Sequence, residues 1–279
     1  MGKTRFALTA LALVLCQVAG ANAADLGLPP PPPMMEPAPP PPPPMAADCC
    51  NDQGWYFRGF IGSTSYDVSS LDHDAFDTAD FTFHNLGFEA SGFGGIGVGY
   101  KLSRHFRVDA TAEYRNRATF HGLDSYVGPG FSGTNDYEAT LKSWNMLANF
   151  YWDIICWNGL TPYVGAGVGF SRNYIGNFTD VNVPNLGVAY ANTNATTEFA
   201  WAIHAGLAFE VNDRVTLDFA YRYINLGDAM TDTVIAYDGS GTADGLEFED
   251  IDSHDLMLGV RWKFGGCCEQ PLPMPVSFK

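Results

Sequence analysis

From Gly54 to Phe264 apolar and polar residues alternate with period two in eight separate segments. Strict alternation puts successive side chains on opposite faces of an extended chain, so each segment predicts a β-strand with two different environments. Strand 3, Phe106–Asn116, sets Phe106, Val108, Ala110, Ala112 and Tyr114 against Arg107, Asp109, Thr111, Glu113 and Arg115. The last strand, Ser253–Phe264, sets Leu256, Leu258, Val260, Trp262 and Phe264 against Asp255, Met257, Gly259, Arg261 and Lys263. The other segments are Trp55–Tyr66, Gly92–Leu102, Leu141–Asp153, Pro162–Asn173, Thr197–Val211 and Val215–Asn225. The connections alternate too. Ser103–His105, Ile155–Thr161 and Asn212–Arg214 are short, while 67–91, 117–140, 174–196 and 226–252 are long and rich in Gly, Asp, Asn and Thr.

Two architectures fit this pattern: a soluble up-and-down barrel with an apolar interior, and a membrane barrel with the apolar face on lipid. Charge discriminates. The mixed face carries seven basic residues, Arg58, Lys101, Arg107, Arg115, Arg222, Arg261 and Lys263. It carries seven acidic ones, Asp109, Glu113, Asp153, Glu198, Glu210, Asp218 and Asp255. Such balance suits an enclosed, paired lumen, because an unpaired buried charge costs several kcal/mol. The apolar face concentrates aromatics at both strand ends, as at two membrane interfaces. Trp55, Phe150, Trp152 and Trp262 lie near the short turns; Tyr114, Trp144, Phe170 and Tyr221 lie near the long loops. The expected fold is all-β: an eight-stranded antiparallel up-and-down transmembrane β-barrel with short periplasmic turns and four long extracellular loops. Arg58, Arg107, Asp109, Glu113, Arg115, Asp218, Arg222 and Arg261 form its expected lumenal charge network. Side chains fill a barrel of this size, which argues against an open diffusion channel. The inward glycines of strands 2 and 5 keep a narrow, low-conductance channel open as an alternative.

The flanks are different in kind. Lys3 and Arg5, an apolar run from Phe6 to Val18 and Ala21-Asn22-Ala23 predict a signal peptide over residues 1–23. Residues 24–53 read as a proline-rich periplasmic linker, with proline runs at 29–33 and 39–44 favouring polyproline II. The barrel occupies 54–264, and 265–279 form a periplasmic tail. The chain of 279 residues has a net charge of −16, which speaks against a nucleic-acid partner.

The motifs Thr161-Pro162-Tyr163-Val164-Gly165-Ala166-Gly167-Val168-Gly169 and Tyr221-Arg222-Tyr223-Ile224-Asn225-Leu226-Gly227 resemble the alphaproteobacterial outer-membrane β-barrel family, porin-family proteins with an OmpA-like eight-stranded domain. Gly259, Trp262 and Phe264 resemble the signal read by the barrel-assembly machinery, although fifteen residues follow Phe264 here. The resemblance implies a monomer in a Gram-negative outer membrane. Its partners would be outer-membrane lipid and lipopolysaccharide, with host or phage surface molecules meeting the loops. It also implies a candidate attachment of Ala24, followed by Asp25, to peptidoglycan.

Candidate chemistry is sparse. His204 with Glu210 is the best local acid–base pair, and a satisfied interior histidine is the plainer reading. His254 follows Ser253, but neighbours on a strand point oppositely. The acids Asp72, Asp74 and Asp77, and Glu247, Glu249, Asp250 and Asp252, match no calcium-loop pattern. No cofactor or metal is expected. Cys49, Cys50, Cys267 and Cys268 flank the first and last strands and are a candidate disulfide clamp across the seam in an oxidising compartment. Cys156, in the second short turn, is expected to be free or linked to another chain. The expected role is non-enzymatic: envelope integrity and surface presentation. An adhesin- or receptor-type module built from the loops is the alternative class.

Overall fold

The computed structural model describes residues 53–73 and 79–264. Eight long strands close into one antiparallel ring: β1 (Gly54–Asp72), β3 (Ser91–Lys101), β4 (Phe106–Gly128), β5 (Phe131–Asp153), β6 (Leu160–Asn182), β8 (Asn194–Glu210), β9 (Val215–Asn225) and β13 (Glu247–Lys263). Each pairs with its neighbour in chain order, and β1 pairs with β13 to close the seam, from Tyr56 opposite Lys263 to Asp72 opposite Glu247. Closure leaves no free edge along the ring.

The short turns have local causes. Asn158 and Gly159 both take positive φ between the bridged Trp157 and Leu160, as a tight hairpin turn requires. The Asn212 side chain accepts from the amides of Arg214 and Val215 at 2.9 and 3.0 Å, closing the third turn.

The long connections differ from expectation. Segment 117–140 is not a loop: β4 and β5 run on as a hairpin up to Gly128 opposite Phe131. β6 likewise continues and turns back into β7 (Gly187–Ala191). β2 (Asp80–Phe88) joins the edge of β4, and β10 (Ala229–Met230), β11 (Val234–Ala236) and β12 (Thr242–Ala243) add short pairings. At about 3.3 Å per residue, the 23-residue β4 extends roughly 75 Å, whereas about ten tilted residues cross a bilayer. More than half of the longest strands therefore lies beyond the membrane band.

The polarity of the interior inverts along the ring. Through the short-turn half the inner face is charged, and the outer face exposes Trp55, Ile61, Ile96, Met146, Phe170, Phe199 and Leu258. Farther on, Phe120, Ala139, Leu141, Ile175, Ile224, Phe248 and Ile251 pack inward as an apolar core. The switch on β4 is made by a bulge between Arg115 and Ala118. Arg115 points in, two residues are spent in the bulge, and Ala118 and Phe120 then point in. Without the bulge, Thr119 and His121 would occupy the interior. Water surrounds the sheet above the bilayer, so the apolar side has to turn inward there.

Candidate functional site

The inner face of the membrane-level ring is a closed ionic lattice. Glu113 on β4 accepts from Arg222 on β9 at 2.8 and 2.9 Å, from Arg115 Nε at 3.0 Å and from Asn145 Nδ2 at 2.9 Å. Asp255 on β13 accepts from Arg115 Nη2 at 2.6 Å, from Arg222 Nε at 2.8 Å and from Ser253 at 2.6 Å. Two guanidiniums thus alternate with two carboxylates, and all four side chains are buried. Arg115 Nη1 also donates to Thr64 and Ser253. Every carboxylate oxygen is occupied, which is the condition for burying ions without a large net penalty.

A second tier lies toward the short turns. Asp109 accepts from Arg58 and Tyr56, both at 3.0 Å, and from Asn149 at 2.8 Å. Arg58 also donates to the Tyr151 hydroxyl at 2.8 Å. Arg107 pairs with Asp153 at 3.0 Å, and its guanidinium lies between the rings of Tyr151 and Tyr163 at 4.2 and 4.3 Å. Arg261 grips Asp218 with two hydrogen bonds of 2.7 and 3.0 Å. Five buried arginines, at 58, 107, 115, 222 and 261, meet five buried acids, at 109, 113, 153, 218 and 255.

The inward glycines are part of the plug. The Tyr56 ring fills the space in front of Gly99, Phe60 that of Gly95, Tyr151 that of Gly165, and Tyr163 that of Gly206. The gaps expected from sequence therefore contain aromatic rings contributed by neighbouring strands. This placement was missed because it depends on which inward residue faces which glycine across the ladder.

The other candidate residues fall as follows. His204 is buried; its Nε2 donates to Asn149 Oδ1 at 3.2 Å and its ring packs on Tyr151. Glu210 is not its partner and pairs with Lys263 at 3.6 Å. Ser253 points into the lattice, whereas His254 points outward, hydrogen-bonded to the Tyr221 hydroxyl at 2.6 Å and 3.5 Å from Asp67. Gly259 backs onto Gly59, and Trp262 and Phe264 face outward at the short-turn end. Cys156 is disulfide-bonded rather than free. Ala24, Cys49, Cys50, Cys267, Cys268, Asp74 and Asp77 lie outside the described residues, as do the signal peptide, nearly all of the linker and the tail.

At the long-loop end, where sequence reasoning saw only loops, a cavity of about 340 Å³ is lined by Phe81, Tyr137, Phe178, Val234, Leu246 and Asp180. Beneath it Asp124 is buried and accepts from Tyr137 at 2.5 Å and from Asn135 at 3.1 Å. Burial, and then the neighbouring Asp124 and Asp136, push the Asp180 carboxyl up to about 7.

A family model described as outer membrane protein beta-barrel domain matches residues 45–264. An uncharacterized protein of Brucella melitensis is 29% identical over 242 residues, covering 76% of this chain and 85% of its own. A Rickettsia bellii protein proposed to be an adhesin is 26% identical, covering 77% of this chain and 90% of its own. Among solved structures, Neisserial surface protein A aligns at 17% identity and a TM-score of 0.45, over 76% of this chain and 99% of its own.

Proposed function

The chain belongs to the outer membrane protein β-barrel domain family, and on that premise we propose that it is a non-enzymatic surface-recognition module. Its sealed barrel anchors a rigid sheet platform outside the cell. The long-loop end faces the exterior and the short turns face the periplasm. The observation that carries this reading is the apolar core beyond the membrane band, where Phe120, Leu141, Ile175 and Phe248 fix strands that a mere connection would leave unpaired. A structured platform offers a binding surface already ordered before contact, which lowers the entropic cost of recognition. The likeness to the Rickettsia bellii protein supports an adhesin- or receptor-type partner on a host or phage surface.

The ionic lattice supports the other half of the proposal, that the barrel is an anchor rather than a conduit. Envelope integrity follows from the same rigidity, with tethering through Ala24 as an additional proposed contact to peptidoglycan. Assembly would proceed through the last strand, with Gly259, Trp262 and Phe264 read by the barrel-assembly machinery.

Display in a non-adherent Gram-negative host tests the reading. One strain carries the full chain, and another carries a variant whose 119–138 hairpin is replaced by a two-residue turn. Cells with the full chain are expected to bind host monolayers several-fold better than the variant. Equal binding, with both proteins heat-modifiable on gels, would overturn the recognition role.

A further inference from the structure

The cavity at the long-loop end is apolar around a single carboxylate. β6, β7 and β11 lie side by side there, and their register puts Asp180 opposite Ala189 and Ala189 opposite Ala236. All three residues line the cavity. Two alanines in succession leave the space beside the Asp180 carboxylate unfilled, because a methyl group ends at Cβ. Tyr137 and Phe178 line the cavity with near-parallel rings whose centroids are 6.2 Å apart. Tyr137, Phe178 and Leu246 also belong to the apolar core, and Val234 packs against it. The cavity is thus preformed by packed strands, and its volume of about 340 Å³ falls at the lower end of the range for small-molecule sites.

Asp180 Oδ1 is buried and has no hydrogen-bond partner among the described residues. A buried acceptor left unpaired bears the full cost of its desolvation. Asp124, beneath the cavity, is in a different position. It accepts from the Tyr137 hydroxyl and from both the side chain and the backbone amide of Asn135. Tyr137 spends its one donor there and has none left for Asp180. His73 Nε2, at the cavity rim, donates to the Asp244 carbonyl at 3.0 Å. Among the described residues no lysine or arginine lines the cavity, and Asp180 is the one carboxylate that does. The lining is therefore negative at one point and apolar elsewhere.

We infer that this cavity binds a small organic cation, a primary ammonium joined by a short linker to an aromatic or branched aliphatic body. The ammonium would pair with the Asp180 carboxylate in the space left by Ala189 and Ala236. The body would lie against Tyr137, Phe178 and Val234. A carboxylate shares its charge between both oxygens, so a cation met from the cavity side compensates the buried oxygen as well. An ammonium brings the positive charge and three donors, and the ring faces attract it further. A divalent metal ion fits less well, because it calls for about six or more oxygen ligands. The inference goes beyond the recognition role proposed above and does not depend on it.

The test uses the full chain refolded in micelles and isothermal titration with 2-phenylethylamine. One saturable site per chain is expected. 2-Phenylethanol and 3-phenylpropionate keep the body without the positive charge and should bind at least about tenfold more weakly. D180N should weaken amine binding by more than about tenfold, and A189F, which sets a ring beside the carboxylate, should abolish it. D238N, which alters an exposed acid outside the lining, should leave binding unchanged. All three variants should stay heat-modifiable, because the substitutions lie beyond the membrane-level ring. Asp180 is faced by Asp124 on β4, by Asp136 and Tyr137 on β5 and by His73 after β1. It gives up its proton at about 7, whereas a primary ammonium stays charged, so affinity should rise about tenfold from pH 6 to pH 8. Equal affinity for the alcohol, or for the amine in D180N, would overturn the site. Calcium competing as strongly as the amine would assign it to an inorganic ion and overturn it as an amine site. No host cell enters these readouts, so failure here is distinct from failure of the recognition role.

Discussion

Neutralising Glu113 gives the sharpest test of the lumenal lattice. Glu113→Gln keeps the side-chain shape but leaves Arg115 and Arg222 with Asp255 as the single carboxylate of the quartet. The site is completely enclosed, with side-chain exposures of 0–2% for Glu113, Arg115, Arg222 and Asp255. Solvent therefore cannot take over the lost interaction. Removing one member of a buried pair costs about 3–5 kcal/mol, because the partner's charge stays uncompensated. The amide nitrogen adds to this, since it would face donors now 2.8–3.0 Å from Glu113. Adding Arg222→Gln restores neutrality and keeps the 2.6 Å contact between Arg115 and Asp255. The double variant should therefore be more stable than E113Q by about 1–3 kcal/mol, a non-additivity expected only for groups in one network. Urea titration in micelles, followed by heat-modifiable gel mobility, reads both quantities. A cost below about 1 kcal/mol for E113Q, with simple additivity in the double variant, would refute a dry, charge-balanced lumen.

Four further outcomes follow from the same structure. Asp180 holds its proton more tightly folded than unfolded, with a folded value of about 7. The unfolded chain thus binds fewer protons between about pH 4 and 7, so stability of the long-loop end falls as pH rises through that window. Amide exchange in the 135–139 and 176–182 segments should show protection lost from pH 5 to pH 8 and restored by Asp180→Asn; protection that grows with pH would contradict the sign. A Cβ at Gly169 would run into the Met146 carbonyl oxygen, a backbone atom that cannot step aside. Gly169→Ala should lower stability by more than about 2 kcal/mol and deplete the heat-modifiable form, and wild-type behaviour would refute the close approach. Planar-bilayer recordings of the purified barrel should show no stable conductance, and steady openings would mean that the aromatic rings over Gly95, Gly99 and Gly165 do not seal it. Impermeant maleimide should label Ser132→Cys in intact cells if the β4–β5 hairpin faces outward, and labelling only after lysis would reverse the proposed orientation.

How much of this was legible in the chain depends on where one stands along a strand. Below the bulge, parity alone sorts residues. Arg107, Asp109, Glu113 and Arg115 share a face on β4, and the period-two rule puts them inside together. What parity does not supply is partnership across the ring. That Glu113 meets Arg222, 109 residues away, follows from ring closure and register. Thr64, Asn145 and Ser253 were assigned no lumenal role because they carry no charge, although they lie on the lumenal parity.

Above the bulge the reading failed for a deeper reason. Alternation persists there, as Ala118, Phe120 and Gly122 against Thr119, His121 and Leu123 show, but its phase is shifted by one residue. The meaning of the two faces also reverses, because the surroundings change from lipid to water. A reader who carries the lower phase upward finds polar residues on both sides and concludes that the segment is a loop. The second half of β6 repeats the device: Ile175 points in, Asn177 takes a positive φ, and Phe178 points in. One strand thus encodes two solvents in sequence, with a bulge between them. Arg117 occupies this junction on β4, and Lys142 faces it across the ladder. The transition from lipid to water is therefore written twice at one level, inside as a change of phase and outside as a cluster of cations.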